Sequence, residues 1–174
     1  IAAIFNNNNQ FADAVSVTEI YRLTDTLHVD VNRQNAKAYC MLKEYKISVN
    51  RYEALKAMGD RSFTTLYYLG VSQYADNWPY GARDNLLEAH KKNPMDVNVL
   101  YYLAKACARS SWKEEGIAYM NKAFDMVVPT DSMMIRLYDG LLECYKFHTK
   151  ADPYEKIEVM KEAYSYTKKY TLFY

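Results

Sequence analysis

Between Phe63 and Asn98 the apolar residues fall at helical spacing. Leu66 and Leu69, with the bare backbone of Gly70 beside them, share one face of a helix. Ala82, Leu86 and Ala89 repeat the pattern on a second helix. Small residues at Gly70, Ala82 and Ala89 let the two axes approach to the short end of the usual range of about 8–10 Å. Pro94 cannot continue a helix and closes the pair, and Asp96 offers a cap to the next one. The spacing predicts two antiparallel helices joined by a turn at Asp76-Asn77-Trp78-Pro79.

The same pattern returns at a step of about 34 residues. Forward, Ala82, Leu86 and Ala89 become Gly116, Met120 and Ala123, while Leu66, Leu69 and Gly70 become Leu100, Leu103 and Ala104. Backward, Ala82 becomes Ser48 and then Ala14, and Leu86 becomes Tyr52 and then Thr18. A small residue therefore holds the same place in Ala14, Ser48, Ala82 and Gly116.

Those residues resemble the tetratricopeptide repeat, a unit of two antiparallel helices about 34 residues long. The resemblance implies an all-α fold, a right-handed α-solenoid of antiparallel helix pairs. The chain departs from the family pattern at Leu66, where tryptophan is usual, at Gln73, where tyrosine is common, and at Asn32 and Asn35, where apolar residues are expected. On this frame one array spans the chain: a partial repeat over 1–26, repeats near 29–60, 63–94, 97–128 and 131–168, and the start of another at 171–174. Both ends fall within repeats, so a longer array is expected.

Further elements follow from local signals. The second repeat takes helices from about Asn32 to Tyr45 and from about Ile47 to Met58, closed by Gly59. Asn6 to Asn9 form the first turn, since asparagine tolerates left-handed geometry. Trp78 and Trp112 are equivalent turn residues, read as packing lids. The last repeat begins at an Asp131 cap, and its second helix, packed through Met160 and Ala163, comes late. That places an insertion in the loop Phe147 to Asp152.

Composition narrows the function. The 174 residues are 50% hydrophobic and 15% aromatic with only five glycines, which favours helices over a sandwich or barrel. Twenty-two basic and 21 acidic residues leave a formal charge of +1, too little for phosphate neutralisation, so nucleic acid is not the expected partner. No apolar run reaches the roughly 20 residues of a membrane-spanning helix. Cys40, Cys107 and Cys144 are read as free, partly buried thiols.

No catalytic or cofactor pattern emerges. His28, His90 and His148 have no carboxylate or cysteine at ligand spacing, and there is no phosphate-binding glycine loop, so neither metal nor cofactor is expected. Glu114 and Glu115 sit at a helix start, where acids favour the macrodipole.

The resemblance implies a protein or peptide partner on a concave face lined by the first helix of each repeat. The stripe beside the packing residues supplies Arg33 and Lys37; Tyr67, Val71 and Tyr74; Asn98, Tyr101, Lys105 and Arg109; and Ile135 and Asp139. This reads as an aromatic groove flanked by cations, suited to an acidic or carboxylate-bearing partner. The family's lysine and asparagine carboxylate clamp is not reproduced, because Tyr68 and Tyr102 occupy its stripe. The leading expectation is a non-enzymatic interaction scaffold. Two alternatives are a carbohydrate-binding helical-repeat protein of a bacterial envelope and the regulatory repeat arm of a larger enzyme.

Overall fold

A computed structural model describes residues 1–166. The expected start of a further repeat at 171–174 lies outside the described residues, as does the end of the span 131–168. Among the described residues the chain forms ten α-helices and no strand. They gather into two compact units, Ile1–Lys92 and Asn93–Tyr174.

The first unit holds α1 (Ala2–Asn7), α2 (Phe11–Arg22), α3 (Val29–Met41), α4 (Tyr45–Ala57), α5 (Phe63–Ala75) and α6 (Pro79–Lys92). Each helix packs on the next in sequence, and α3 also packs on both α1 and α5, so the odd-numbered helices form one layer. The second unit holds α7 (Val97–Ala108), α8 (Lys113–Asp125), α9 (Asp131–Phe147) and α10 (Pro153–Tyr166). There α7 and α9 pack side by side in the same manner.

Helix termini recur at one period. The N-caps of α3, α5, α7 and α9 are His28, Ser62, Asp96 and Thr130, each 34 residues from the last. The first three accept a backbone N–H with the side chain, and Asp96 takes two, from Asn98 and Val99 at 2.9 and 3.1 Å. Asp131 is thus the first helical residue of α9, one place after its cap, and complements the helix dipole instead.

The turns inside the pairs show the same rhythm. Asn9, Lys43 and Asn77 all have positive φ, at 60°, 65° and 62°. Each closes its helix with a Schellman pair of bonds; at Lys43 these are Glu44 N–H to Tyr39 O at 3.0 Å and Lys43 N–H to Cys40 O at 3.1 Å. Lys43 therefore ends α3 at Met41, short of the expected Tyr45, and lets α4 start at Tyr45, ahead of the expected Ile47; α3 itself begins at Val29, after its His28 cap, ahead of the expected Asn32. Gly59, at φ 93°, closes α4 by the same device.

Packing inside each pair depends on small residues. A Cβ on Gly70 would meet Leu86 Cγ at 2.5 Å, and one on Gly116 would meet the Ala104 carbonyl oxygen at 2.8 Å. Ala82, Leu86 and Ala89 are fully buried, as are Met120 and Ala123. Ala163 joins Met134, Tyr138 and Leu142 in a small cluster between α9 and α10.

Polar residues that break the apolar pattern are also buried, and they are hydrogen-bonded. Asn32 Nδ2 donates to Thr26 O at 2.8 Å, which anchors the loop before α3. Asn35 Nδ2 donates to Thr18 Oγ1 and to Glu19 Oε1, both at 2.9 Å. Glu19 also accepts from Tyr39 and Arg51, tying α2, α3 and α4 together. Gln73 donates to Glu53 at 2.9 Å and accepts from Asn85 at 2.8 Å, linking α4, α5 and α6. Burying a polar group is costly only when it lacks a partner, so these positions replace apolar packing with hydrogen bonds, Asn35 Oδ1 alone among them being left without one.

The three cysteines are buried and free. Burial, assisted by Glu143, pushes the Cys144 thiol up to about 12.

The late second helix of the last repeat has a different origin from the expected loop. Helix α9 runs 17 residues where α7 has 12, so most of the insertion is an added helical turn, Glu143 to Phe147. The loop from His148 to Asp152 remains short.

Candidate functional site

The face carried by the first helices is best described one unit at a time. In the first unit Arg33 is not a free groove cation. Its Nε and Nη2 donate to Asp60 Oδ2 at 3.1 and 2.9 Å, and its Nη1 donates to Asp30 at 2.7 Å. Asp60 also accepts from the Ser62 backbone and from Thr65 Oγ1, so the pair locks the loop between α4 and α5. Desolvation would raise the Asp60 carboxyl, but the bonds from Thr65, Ser62 and Arg33 prevail and hold it below its ordinary value.

Lys37 and Tyr67 lie in the same layer. The Lys37 ammonium sits 5.7 Å from the Tyr68 ring centre, while Tyr67 stacks on Phe63 at 6.0 Å and meets Tyr68 edge-on at 5.0 Å. These rings are half-buried, and Val71 is half-buried one turn further along α5. Tyr74 is buried and belongs to the core. Phe63, Tyr67, Tyr68 and Lys37 thus make a continuous aromatic surface with a cation at one edge.

In the second unit the predicted residues meet around Tyr101. This ring is 7% exposed, because Gly140 on α9 leaves room for it: a Cβ there would approach Tyr101 Cε2 at 2.7 Å. Arg136, also on α9, lays its guanidinium 4.5 Å from the Tyr101 ring centre and donates to Asn98 Oδ1 at 2.8 Å. Lys105 approaches the ring at 4.9 Å and donates to the Tyr101 hydroxyl at 3.1 Å. A ring held between two cations is stabilised through its quadrupole, most where water is excluded.

The flanking cations are largely spoken for. Glu143 accepts from Lys105 at 2.8 Å and from Arg109 at 2.7 Å. Arg109 also lies 5.8 Å from the Phe147 ring centre. Both Glu143 and Phe147 come from the added turn of α9. Asp139 is exposed on α9 and Ile135 is half-buried on it.

Sequence reasoning missed Arg136 and Glu143, which organise this face. Arg136 lies one residue from Ile135 on the same helix and was detectable as a cation one repeat after Tyr102. Glu143 had no such signal, since it stands on the turn that lengthens α9. The expected packing role of Trp78 is partly met: its ring lies against Gly81, although half of it is exposed.

Among the described residues no group of histidine, cysteine and carboxylate side chains has the arrangement of a metal site. No helix there is long and apolar enough to cross a membrane.

No protein-family model and no curated protein matches the sequence. Solved structures do match the fold. The crystal structure of YrrB, a TPR protein with an unusual peptide-binding site, is similar at TM-score 0.77 and 15% identity, over 98% of this chain and 85% of that one. A crystal structure of MamA gives TM-score 0.76 and 17% identity over 97% and 95% of the two chains. MamA from Desulfovibrio magneticus RS-1 gives 0.64 and 16% over 72% and 71%.

Proposed function

On the premise that this chain has the tetratricopeptide-repeat-like fold those structures share, we propose that it is a non-enzymatic scaffold that binds a protein or peptide partner on the face of its first helices. YrrB, a protein of this fold with a peptide-binding site, supports that class of partner. At such low identity the likeness carries the fold, and the binding chemistry comes from the residues of this chain.

The observation that carries the reading is Arg136 seated on Tyr101 and fixed by Asn98. A guanidinium offers five N–H donors, and Asn98 takes one of them through Nη1. An arginine held in place this way loses little further entropy when it binds a carboxylate. Tyr67, Tyr68 and Val71 supply apolar area in the first unit, and Lys37 and Asn98 supply polar contacts. The partner is an acidic or carboxylate-bearing segment with apolar anchors.

The test is capture of partners on the immobilised chain, compared between the parent and a variant carrying Tyr67→Ala and Arg136→Ala. Unchanged helicity by circular dichroism must accompany the comparison. Loss of the acidic members of the captured set supports the reading, and an identical set contradicts it.

A further inference from the structure

A second concavity lies in the unit Asn93–Tyr174, between α8, α9 and α10. Its volume is about 650 Å³, within the range of ligand pockets. Its walls are aromatic: Phe124, Tyr138, Tyr145 and Tyr154, with Leu141 and Val159 between them. Phe124 and Tyr138 pack at 4.8 Å between ring centres, which fixes that wall. The added turn of α9 contributes Tyr145.

The rim decides what such a cavity can hold. Among the described residues Asp125, Asp152, Glu155, Glu158 and Glu162 line it, and no lysine, arginine or histidine does. Glu155, Glu158 and Glu162 recur at helical spacing along one face of α10. Tyr138 and Tyr145 are buried and donate their hydroxyls to Glu162 and Glu155 at 3.2 and 3.4 Å, so their polar tips hold two of the acids in place. Glu158 is paired at 2.7 Å with Lys161, but both side chains are about two-thirds exposed and such pairs contribute little. Burial and the Glu162 charge push the Tyr138 hydroxyl up to about 12, consistent with a negative local field.

We propose that this cavity is a binding site for a basic peptide segment, whose arginine or lysine side chains stack on the exposed Tyr154 and are neutralised by the carboxylates. Aromatic faces bounded by carboxylates select organic cations, through the ring quadrupole and through charge. The line of acids along α10 suits a segment with several cations better than one small ion. The site stands independently of the reading above: it shares α9 but uses other residues of it, together with α8 and α10, and prefers the opposite charge.

The test uses the full chain and a fluorescein-labelled octa-arginine peptide, followed by anisotropy at two salt concentrations. The expected result is saturable binding that weakens at least tenfold in a variant with Glu155→Gln, Glu158→Gln and Glu162→Gln. A charge-matched control with Asp13→Asn, Glu44→Gln and Asp76→Asn, all exposed in the other unit, should bind as the parent does. Tyr154→Ala, at a ring that is 77% exposed, should weaken binding several-fold without altering the fold. Octa-glutamate should not compete. Spermidine at millimolar concentration should compete poorly, and efficient competition would assign the site to small polyamines instead. Equal weakening in the two triple variants, or no effect of Tyr154→Ala, would overturn the proposal.

Discussion

Arg109 and Glu143 stand 34 residues apart and meet through a hydrogen bond of 2.7 Å. The acid occupies, one repeat later, the place that the arginine holds at the end of α7. Because α9 continues for an extra turn, Glu143 remains helical and reaches back to both Arg109 and Lys105. One carboxylate thereby neutralises two cations of the expected groove.

Glu143→Gln should therefore destabilise the second unit by about 1–3 kcal/mol, the range for bonds to partly buried charged groups. It should also raise affinity for acidic partners by releasing Lys105 and Arg109. Chemical denaturation followed by circular dichroism measures the first effect, and titration of a captured partner measures the second. Unchanged stability would mean that the paired charges gain nothing over their solvated state.

Much of the fold was readable because the determinants are local. Asp96 announces its cap, Asn77 its left-handed turn, and Gly70 and Ala82 their close helix contact. Lys43 was not readable, since a lysine carries no turn signal and only its place between Asn9 and Asn77 gives it away. Asn32 and Asn35 read as departures because their partners, Thr26, Thr18 and Glu19, come from the preceding helix and loop. The site was less legible than the fold. Arg33, Lys105 and Arg109 carry the expected charge, but their pairing with Asp60 and Glu143 depends on packing that a stripe on a helical wheel does not contain.

The left-handed turn at Lys43 yields a stabilising substitution. A residue with a Cβ loses roughly 1 kcal/mol in this conformation relative to glycine. Lys43→Gly should accordingly raise the unfolding free energy of the first unit by up to about 1 kcal/mol, less the added entropy of the unfolded chain, and so raise its denaturation midpoint. A lowered midpoint would show that the lysine side chain contributes more than its backbone strain costs.

Helix approach can be graded at two glycines. Gly116 faces a carbonyl oxygen of α7 at 2.8 Å, which cannot retreat without moving the helix, whereas the nearest neighbour of Gly70 is a side-chain atom, Leu86 Cγ at 2.5 Å, with the Ala82 carbonyl oxygen further off at 3.2 Å. Gly116→Ala should cost about 1–3 kcal/mol, as overpacking does, and Gly70→Ala should cost less. Thermal melts of the two variants, with exposed Lys92→Ala as a reference, give the order; the reverse order would contradict the packing described.

Acid should loosen the first unit through Glu19. Desolvation would raise its pKa, but the bonds and charges of Asn35, Arg51, Tyr39 and Arg22 outweigh it and leave the group below its ordinary 4.5. A carboxyl whose folded pKa is depressed adds stability above the unfolded value and loses it as pH falls through the folded one. Asp60, lowered from 3.8, acts in the same direction. Stability should thus decline below about pH 4.5, and Glu19→Gln should flatten that decline while lowering stability at neutral pH. An identical acid limb in parent and variant would remove Glu19 from this role.

The most direct measurement of where a partner binds is site-specific photocrosslinking. Benzoylphenylalanine is placed at Tyr67 or Asn98, on the first-helix face of each unit, and at exposed Asp84 or Glu115 on the second helices. Irradiation with a captured partner should give covalent adducts from Tyr67 and Asn98 and none from Asp84 and Glu115. Adducts from the second helices alone would contradict binding on the first-helix face.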